Sequence, residues 1–404
     1  MSQFVVNIAR TQQVAGHEVA IVTTMTCGFP VDDLKVVLTE SPVEEVAKAV
    51  GDRHDDVILH LHTLFGKYCA SVACWARQNR VPYVISPHGA LMPNAVKVNY
   101  WKKWIFLRLF SKEFHAAAGF HVTAESEVET VKRFFGATRP IVLAPLGASI
   151  SSSNQTNSNL KSFNFVCRDV VFVGRIHPVK NLASLLRAWS LLMREKVDNR
   201  CPPVFSTCSL RLVIAGSNDV GHQEELVELA KSLGLKTVDF SHDLEYGKKT
   251  IFGGGEVPVE TFQKRLADCD ADVVFTGPVY SAAKDWMFAH AWVSVLPSHS
   301  ENFGGVVVES LAQGTPVIAS TGTPWQVLEK GSGVRGRELD GACGWWIEPT
   351  AEKLAEALKD ALMLTDAQRT VFSANARELV RRKYSWENSS RKVVAFYEQI
   401  LANT

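Results

Sequence analysis

Trp292 to Ser320 reads WVSVLPSHSENFGGVVVESLAQGTPVIAS. Trp292 to Leu296 and Pro316 to Ser320 are apolar runs of strand length, and Gly304 to Gln313 between them has the length of a helix closed by Gly314. The order is strand, loop, helix, strand. The loop carries Glu301, the adjacent Gly304 and Gly305 open the helix, and Glu309 follows eight positions after Glu301. A helix start with bare backbone N–H groups and no side chain in the way seats an anion, above all a phosphate.

The same rhythm extends in both directions. Ahead of this stretch, Val170 to Val173, Leu210 to Ala215 and Val273 to Thr276 read as strands with helices between them. The first half begins with a helix to Ala15, stopped at Gly16, then a strand at Glu18 to Thr24 and a helix at Val43 to Ala49. A strand at Val57 to His62, a helix at Leu64 to Arg80 and a strand at Tyr83 to Ser86 follow, with a helix from Thr123 and a strand at Val142 to Ala144. Strands separated by helices predict parallel sheets covered on both faces, with ligands beyond the carboxyl ends of the strands.

The polar run SSSNQTNSN has no apolar period and marks a boundary. The expected organisation is a first domain at 1–150, a linker at 151–166, a second domain at 167–383 and a C-terminal helix at 384–404 packing back on the first domain. The fold class is α/β, two doubly wound Rossmann-like domains facing a central cleft. Arg194 to Ser209 and Lys236 to Asp270 interrupt the alternation. The second contains Gly253-Gly254-Gly255, which follows no apolar strand and reads as a surface insertion, not a phosphate loop. Thr365 and Gln368 form a capping box in the helical C-terminal part.

Composition narrows the class. At 404 residues the chain is too long for one typical core, and 46% apolar with 21% charged residues is ordinary for a globular protein. A net charge of +1 argues against nucleic acid as a bulk partner. The eight cysteines show no C-x-x-C pair and no zinc spacing, so neither a disulfide framework nor a metal site is expected and a cytoplasmic setting fits. The start MSQFVVNIARTQQ has no signal-peptide pattern, and no run approaches membrane-span length. YWKKWIFLRLFSKEF, Tyr100 to Phe114, invites a membrane-surface reading, but its cations project all round a helix. A packed helix with snorkelling lysines is the favoured expectation.

The second domain opens with VVFVGRIHPVKN, Val170 to Asn181. Arg175 falls just past a strand and Lys180 at the start of the following helix, so both cations can reach the cleft mouth that holds the Gly304 loop. A nucleotide diphosphate needs such a setting as a leaving group, because charge grows on its bridging oxygen. Taken alone, the two cations read more readily as a pair of solvated loop charges. Glu301 can accept hydrogen bonds from sugar hydroxyls, and Glu309, in a mostly apolar helix, would be satisfied by the two ribose hydroxyls. His62 and His88 lie at strand ends of the first domain, where a loop histidine bonded to backbone is the commoner case.

VVFVGRIHPVKN, RLVIAG (Arg211 to Gly216), VVFTGPV (Val273 to Val279) and SHSENFGGVVVESLAQGTPVIAS together resemble retaining glycosyltransferase family 4, with the GT-B fold. The blocks stand in the family's order and cover most of the second domain. GHEVAIVTT (Gly16 to Thr24) and VPYVISPHGALMP (Val81 to Pro93) extend the resemblance to the first. It implies that Gly174, Arg175 and Lys180 hold the diphosphate, Glu309 the ribose, and Glu301 with Asn302, Phe303, Gly304, Gly305 and Val306 the transferred sugar. Val279 would back the base, and His88 would touch the sugar near the reacting carbon. The implied reaction is front-face transfer with retention from a nucleotide diphosphate sugar to a glycan or glycolipid acceptor, with no metal or other cofactor. Surface polysaccharide or lipopolysaccharide assembly in the cytoplasm, with peripheral contact at the inner membrane face, is the implied setting.

Two departures qualify the resemblance. The family pattern begins with a strand and a Gly-Gly loop ahead of the helix that ends in Gly-His-Glu-Val, whereas this chain begins at that helix, as a truncated copy would. A sheet lacking that strand leaves two neighbours with unpaired edges, at about 1 to 3 kcal/mol per buried unsatisfied group. Leu146 stands where the family has asparagine in a Pro-Asn-Gly turn. A non-catalytic binding protein of the same fold and a nucleotide-sugar epimerase are the alternative readings.

Overall fold

The computed structural model describes residues 3–25, 31–150, 167–197, 209–218, 220–241, 259–331 and 341–403. The linker at 151–166 and the triple glycine at 253–255 lie outside them. The chain divides into two compact units, 1–147 with 384–404, and 148–383.

The first unit runs α1 (Gln3–Val14), β1 (Ala20–Thr23), β2 (Lys35–Leu38), α2 (Pro42–Val50), β3 (Leu59–His62), α3 (Lys67–Gln78) and β4 (Tyr83–Ser86). It continues with α4 (Pro93–Lys97), α5 (Tyr100–Leu109), α6 (Ser111–His115), β5 (Gly119–Val122), α7 (Glu125–Phe135) and β6 (Ile141–Leu143), and takes in the C-terminal helix Trp386–Leu401. Strands β3-β4-β5-β6 form a parallel sheet in that order. β1 and β2 form a separate parallel pair. Among the described residues β1 pairs only with β2 and β3 only with β4. β2 is a strand the sequence reading missed, being short, half-buried and flanked by polar turns.

Both faces of the four-stranded sheet are covered. On one, Leu61, Tyr83, Ile85, Phe120 and Val122 pack with Val72, Ala73 and Ala76 of α3 and Val131 and Phe135 of α7. On the other, Trp386 and Val393 of the C-terminal helix meet Phe4 and Ile8 of α1, and Phe396 and Ile400 meet Val84. Each large apolar side chain buried there contributes roughly 1.5 to 3 kcal/mol, so the C-terminal helix is part of this unit's core. The close approach requires glycine at two places. A Cβ on Gly119 would fall 2.4 Å from the Phe396 ring, and one on Gly147 would fall 2.7 Å from the Trp386 backbone.

The Tyr100 to Phe114 segment departs from the packed-helix expectation. It breaks at Phe110 into α5 and α6, and no residue of α5 is fully buried. Phe106 and Leu107 pack on the core, whereas Trp101, Trp104, Ile105 and Leu109 are exposed. Helical projection failed because α5 is apolar on two opposite sides, which leaves no polar face for the lysines to define.

Among the described residues the second unit holds one parallel sheet of seven strands, β7 (Cys167–Val173), β8 (Ser209–Ala215), β9 (Thr237–Asp239), β10 (Val273–Gly277), β11 (Val293–Leu296), β12 (Val317–Ser320) and β13 (Gly344–Ile347). Their order is β13-β12-β11-β7-β8-β10-β9. The helices are α8 (Leu182–Val197), α9 (Gln223–Ser232), α10 (Val259–Ala267), α11 (Ser281–His290), α12 (Gly305–Ala312), α13 (Ala351–Leu362) and α14 (Asp366–Lys383). Every residue of β10, β11 and β12 is buried, Thr276, Ser294 and Ser320 included, as in a sheet covered on both faces. The capping box forms: Thr365 N–H donates to Gln368 Oε1 at 2.9 Å, and Gln368 N–H donates to Thr365 Oγ1 at 3.3 Å. One turn on, buried Arg369 donates to the carbonyls of Trp292 (2.8 Å), Gly314 (2.9 Å) and Ala291 (3.1 Å), and burial pulls its pKa down to about 9.

The two expected insertions shrink. Arg194 to Val197 ends α8 and Ser209 begins β8. Within 236–270, Thr237–Asp239 is an edge strand paired with β10, and Val259–Ala267 is a helix. These short elements sit beside stretches without apolar period, which hid them.

Candidate functional site

Between β11 and β7 the strand order reverses, since the chain builds outward from β7 through β8 on one side and from β11 through β12 on the other. At such a point the loops leaving two neighbouring strands diverge and open a crevice beyond their carboxyl ends. The loops here are Gly174 to Lys180 and Pro297 to Gly304, the two that sequence reading singled out.

Backbone bonds tie them together. Gly174 N–H donates to Ala215 O at 2.9 Å and Ile176 N–H to Ser217 O at 2.8 Å, which fixes the chain on either side of Arg175. A Cβ on Gly216 would lie 1.7 Å from Gly174 O, so the β7 and β8 ends approach as closely as they do only with glycine there. The 3-10 turn Pro178–Lys180 is capped by His177, whose Nδ1 accepts from Val179 N–H at 3.1 Å. His299 N–H donates to Val179 O at 2.8 Å, and Asn181 Nδ2 donates to Pro297 O (3.2 Å) and Pro349 O (2.8 Å).

On this frame Lys180 donates its ammonium to Glu301 Oε1, and the two side chains are each 14% exposed. Ser298 Oγ donates to the same oxygen at 2.7 Å, and Glu301 N–H is held by Gly322 O at 2.8 Å. Two residues expected to meet different parts of a ligand are thus paired with each other. Arg175 is exposed and, among the described residues, unpaired. Phe303 is buried, and its carbonyl accepts from Trp325 Nε1 at 2.6 Å. Gly304 caps α12 at φ +76°, a left-handed conformation that favours glycine. The helix's own hydrogen bonds begin with Val307 N–H donating to Gly304 O at 2.9 Å, so the N–H groups of Gly305 and Val306 ahead of it carry the positive end of its dipole.

Glu309, one turn further into α12, accepts from Lys284 Nζ of α11 at 2.8 Å. Sequence reading missed Lys284. Its signal was present, because SAAKDW follows VVFTGPVY as a first-turn lysine on the helix preceding β11. Val279, in the loop after β10, is buried. The geometry therefore joins Lys180, Glu301 and the Gly304 turn directly, and gives Glu309 a separate cationic partner.

His88 belongs to the first unit, in a left-handed turn after β4 with φ +50°. Its Nε2 is hydrogen-bonded to His62 Nδ1 at 3.0 Å, and the two rings stack at 5.3 Å between centroids. The turn is anchored by Gly89 N–H donating to buried Glu127, which also accepts from Thr123 N–H at 2.9 Å. Two further histidines, which sequence reading did not connect, complete a quartet. His60 Nε2 meets Ser86 Oγ at 2.6 Å, and Ser86 Oγ meets His121 Nδ1 at 2.8 Å. His121 Nε2 donates to Ala144 O at 2.9 Å, and Tyr397 bonds His60 Nδ1. Removal from water lowers all four pKa values, His121 to about 4 and His60 and His62 well below the usual imidazole range. The pattern was visible as LHLH on β3, whose alternate residues share a face beside SPHG and FHV on the next strands. No group of histidine, cysteine or acidic side chains suited to a metal ion occurs among the described residues.

Comparison with known proteins places this architecture. Residues 1–147 match the family described as glycosyl transferase 4-like domain, and residues 247–379 match glycosyl transferases group 1. A sucrose-phosphate synthase from Thermosynechococcus elongatus superposes with a TM-score of 0.63 at 18% identity, over 98% of this chain and 92% of that one. Anabaena HepE in complex with UDP-glucose superposes with a TM-score of 0.61 at 17% identity, over 99% and 94%. The fold is therefore GT-B, two doubly wound units of parallel sheet. By its two sequence matches the chain carries a glycosyl transferase 4-like domain followed by a glycosyl transferases group 1 domain. A D-inositol 3-phosphate glycosyltransferase of Nocardioides sp. is 28% identical over 236 residues, which are 58% of this chain and 42% of that protein. The chain spans less than half the length of the curated relatives it matches.

Proposed function

We propose that the protein is a retaining glycosyltransferase that moves a sugar from a nucleotide diphosphate sugar to a glycan or glycolipid acceptor. The observation that carries this reading is the crossover between β7 and β11. There a lysine and a carboxylate are held together beside a glycine-capped helix start, with a second carboxylate one turn deeper.

In this reading Lys180 exchanges Glu301 for the diphosphate, Arg175 closes on the same group, and the α12 amino end with Gly304 and Gly305 meets its charge. Glu301 is then released to the sugar hydroxyls together with the Asn302 to Val306 backbone. Glu309 receives the ribose hydroxyls, Gly174 leaves room for the phosphates, and Val279 backs the base. The sugar carbon's bond to the diphosphate oxygen breaks. A new bond to the acceptor oxygen forms on the same face, and the acceptor proton passes to the leaving phosphate. His88, neutral because its pKa is lowered, offers a hydrogen bond near the reacting carbon. Negative charge developing on the leaving group is stabilised by the cations and the helix end, each such donor contributing about 2.7 to 4 kcal/mol. No metal or other cofactor is assigned a part. We place the reaction in the cytoplasm, in surface polysaccharide or lipopolysaccharide assembly with a peripheral membrane contact.

A thermal-shift series with UDP, GDP, ADP and their glucose conjugates tests the donor class, since binding to the folded state raises its stability. A rise with one base series and release of that diphosphate on adding acceptor supports the reading. A flat response across all bases counts against it.

A further inference from the structure

We propose that α5, with the ends of α4 and α6, is a docking surface for an anionic lipid bilayer. Trp101 is 72% exposed, Leu109 71%, Ile105 50% and Trp104 46%. Positions 101, 104, 105 and 109 fall along one side of the helix at i, i+3, i+4 and i+8. Val98 and Tyr100 at the α5 start add exposed apolar surface. The opposite side, Phe106 and Leu107, is packed on the core with Phe65. Lys103 ties the helix down from that side, donating to Ala95 O and lying 5.2 Å over the Phe65 ring. The outward residues therefore cannot be buried by rotating the helix without tearing this contact away.

Charge identifies the occupant. Residues 93–112 contain Lys97, Lys102, Lys103, Arg108 and Lys112 and no acidic residue. The nearest acid, Glu113, is buried and paired with Arg77 at 3.2 Å. Lys97, Lys102, Arg108 and Lys112 are exposed around the apolar stripe. The chain as a whole carries only +1, so this is local concentration and not a general surplus. Tryptophans at headgroup depth with lysine and arginine at the phosphates is the arrangement an anionic membrane surface rewards. A second copy is a poorer fit, because a two-fold contact would set these cations against themselves.

The test is cosedimentation of the full chain with vesicles of phosphatidylcholine, with and without phosphatidylglycerol. We expect binding to the anionic vesicles, about fivefold weaker for each of Lys102→Gln and Lys112→Gln, and loss in the Trp101→Ser/Trp104→Ser variant. Raising the salt concentration should weaken what remains by screening. These side chains are exposed, so unchanged melting temperatures check that the variants fold. Absence of binding by the wild-type chain, equal binding by the tryptophan variant, or equal binding to neutral vesicles would overturn the proposal. So would a wild-type dimer in sedimentation velocity that the tryptophan variant abolishes, since a second copy would then be the occupant. Vesicle binding is read without turnover, so its failure leaves the donor reading standing.

Discussion

Lys180 and Glu301 form an ion pair that joins the loop leaving β7 to the loop leaving β11, with Ser298 bonded to the same carboxylate oxygen. The pair closes the crossover of the second unit's sheet, so each residue is both a link in the frame and a candidate ligand contact. Removing one partner leaves the other charged and largely buried.

Lys180→Ala should lower turnover by roughly a hundredfold or more, the scale for one preorganised donor to a leaving-group charge. Glu301→Gln removes the other half of the pair and leaves Lys180 free. If Lys180 acts on the diphosphate, Glu301→Gln should keep or tighten diphosphate affinity while Lys180→Ala weakens it. Calorimetry with the diphosphate separates the two. Equal losses in both variants would mean that the pair serves only as a structural bridge.

Glu309→Ala should weaken nucleotide binding, and Lys284 supplies a control. Lys284 donates to Glu309 at 2.8 Å and so holds the carboxylate in one orientation. Lys284→Met should then weaken the nucleotide less than Glu309→Ala does. The double variant should match Glu309→Ala alone, because the lysine acts through the glutamate. Additive losses in the cycle would separate the two residues.

Gly216→Ala tests the frame itself. The added Cβ would stand 1.7 Å from Gly174 O, a backbone atom that cannot swing aside as a side chain does. Overpacking of this kind costs about 1 to 3 kcal/mol. A lowered melting temperature together with weaker nucleotide binding is expected. A variant as stable as the wild type would show that the β7 end relaxes freely.

The second unit was the more legible of the two in the sequence, for a physical reason. Its strands are buried on both sides and appear as mostly apolar runs at β7, β8, β10, β11 and β12, and its turns need glycine at Gly304 and Gly314. β9 and β13 were missed because an edge strand of three residues, and a GWWI run after an unpatterned stretch, carry little period. Lys284 was missed because the sequence places Glu309 on a helix but does not say which face of the neighbouring helix it meets. On α5 the projection of charges misled, since apolar residues on two sides cancel any directional signal. The histidine quartet needed three strands in register to assemble, and a linear pattern reports only the HLH fragment on β3.

That quartet gives the first unit a dependence on acid. His121 is fully enclosed, and burial holds its pKa at about 4 against an ordinary value of 6.5. The fold therefore keeps the ring neutral, while the unfolded chain takes up a proton below pH 6.5. Because the folded pKa is depressed, this stability is present above the unfolded value and is lost as the pH falls toward the folded one. The slope is up to about 1.4 kcal/mol per pH unit for each such histidine, or about 3 kcal/mol for His121 over its whole window. His60 and His62 are shifted in the same direction and steepen the fall. Melting temperatures should decline as the pH drops from 6.5 to 5, before most carboxylates titrate. His121→Gln can still bond Ser86 and the Ala144 carbonyl but takes up no proton, so its decline should be shallower even if its plateau is lower. Identical slopes for the two proteins would mean that His121 is not held neutral by its burial.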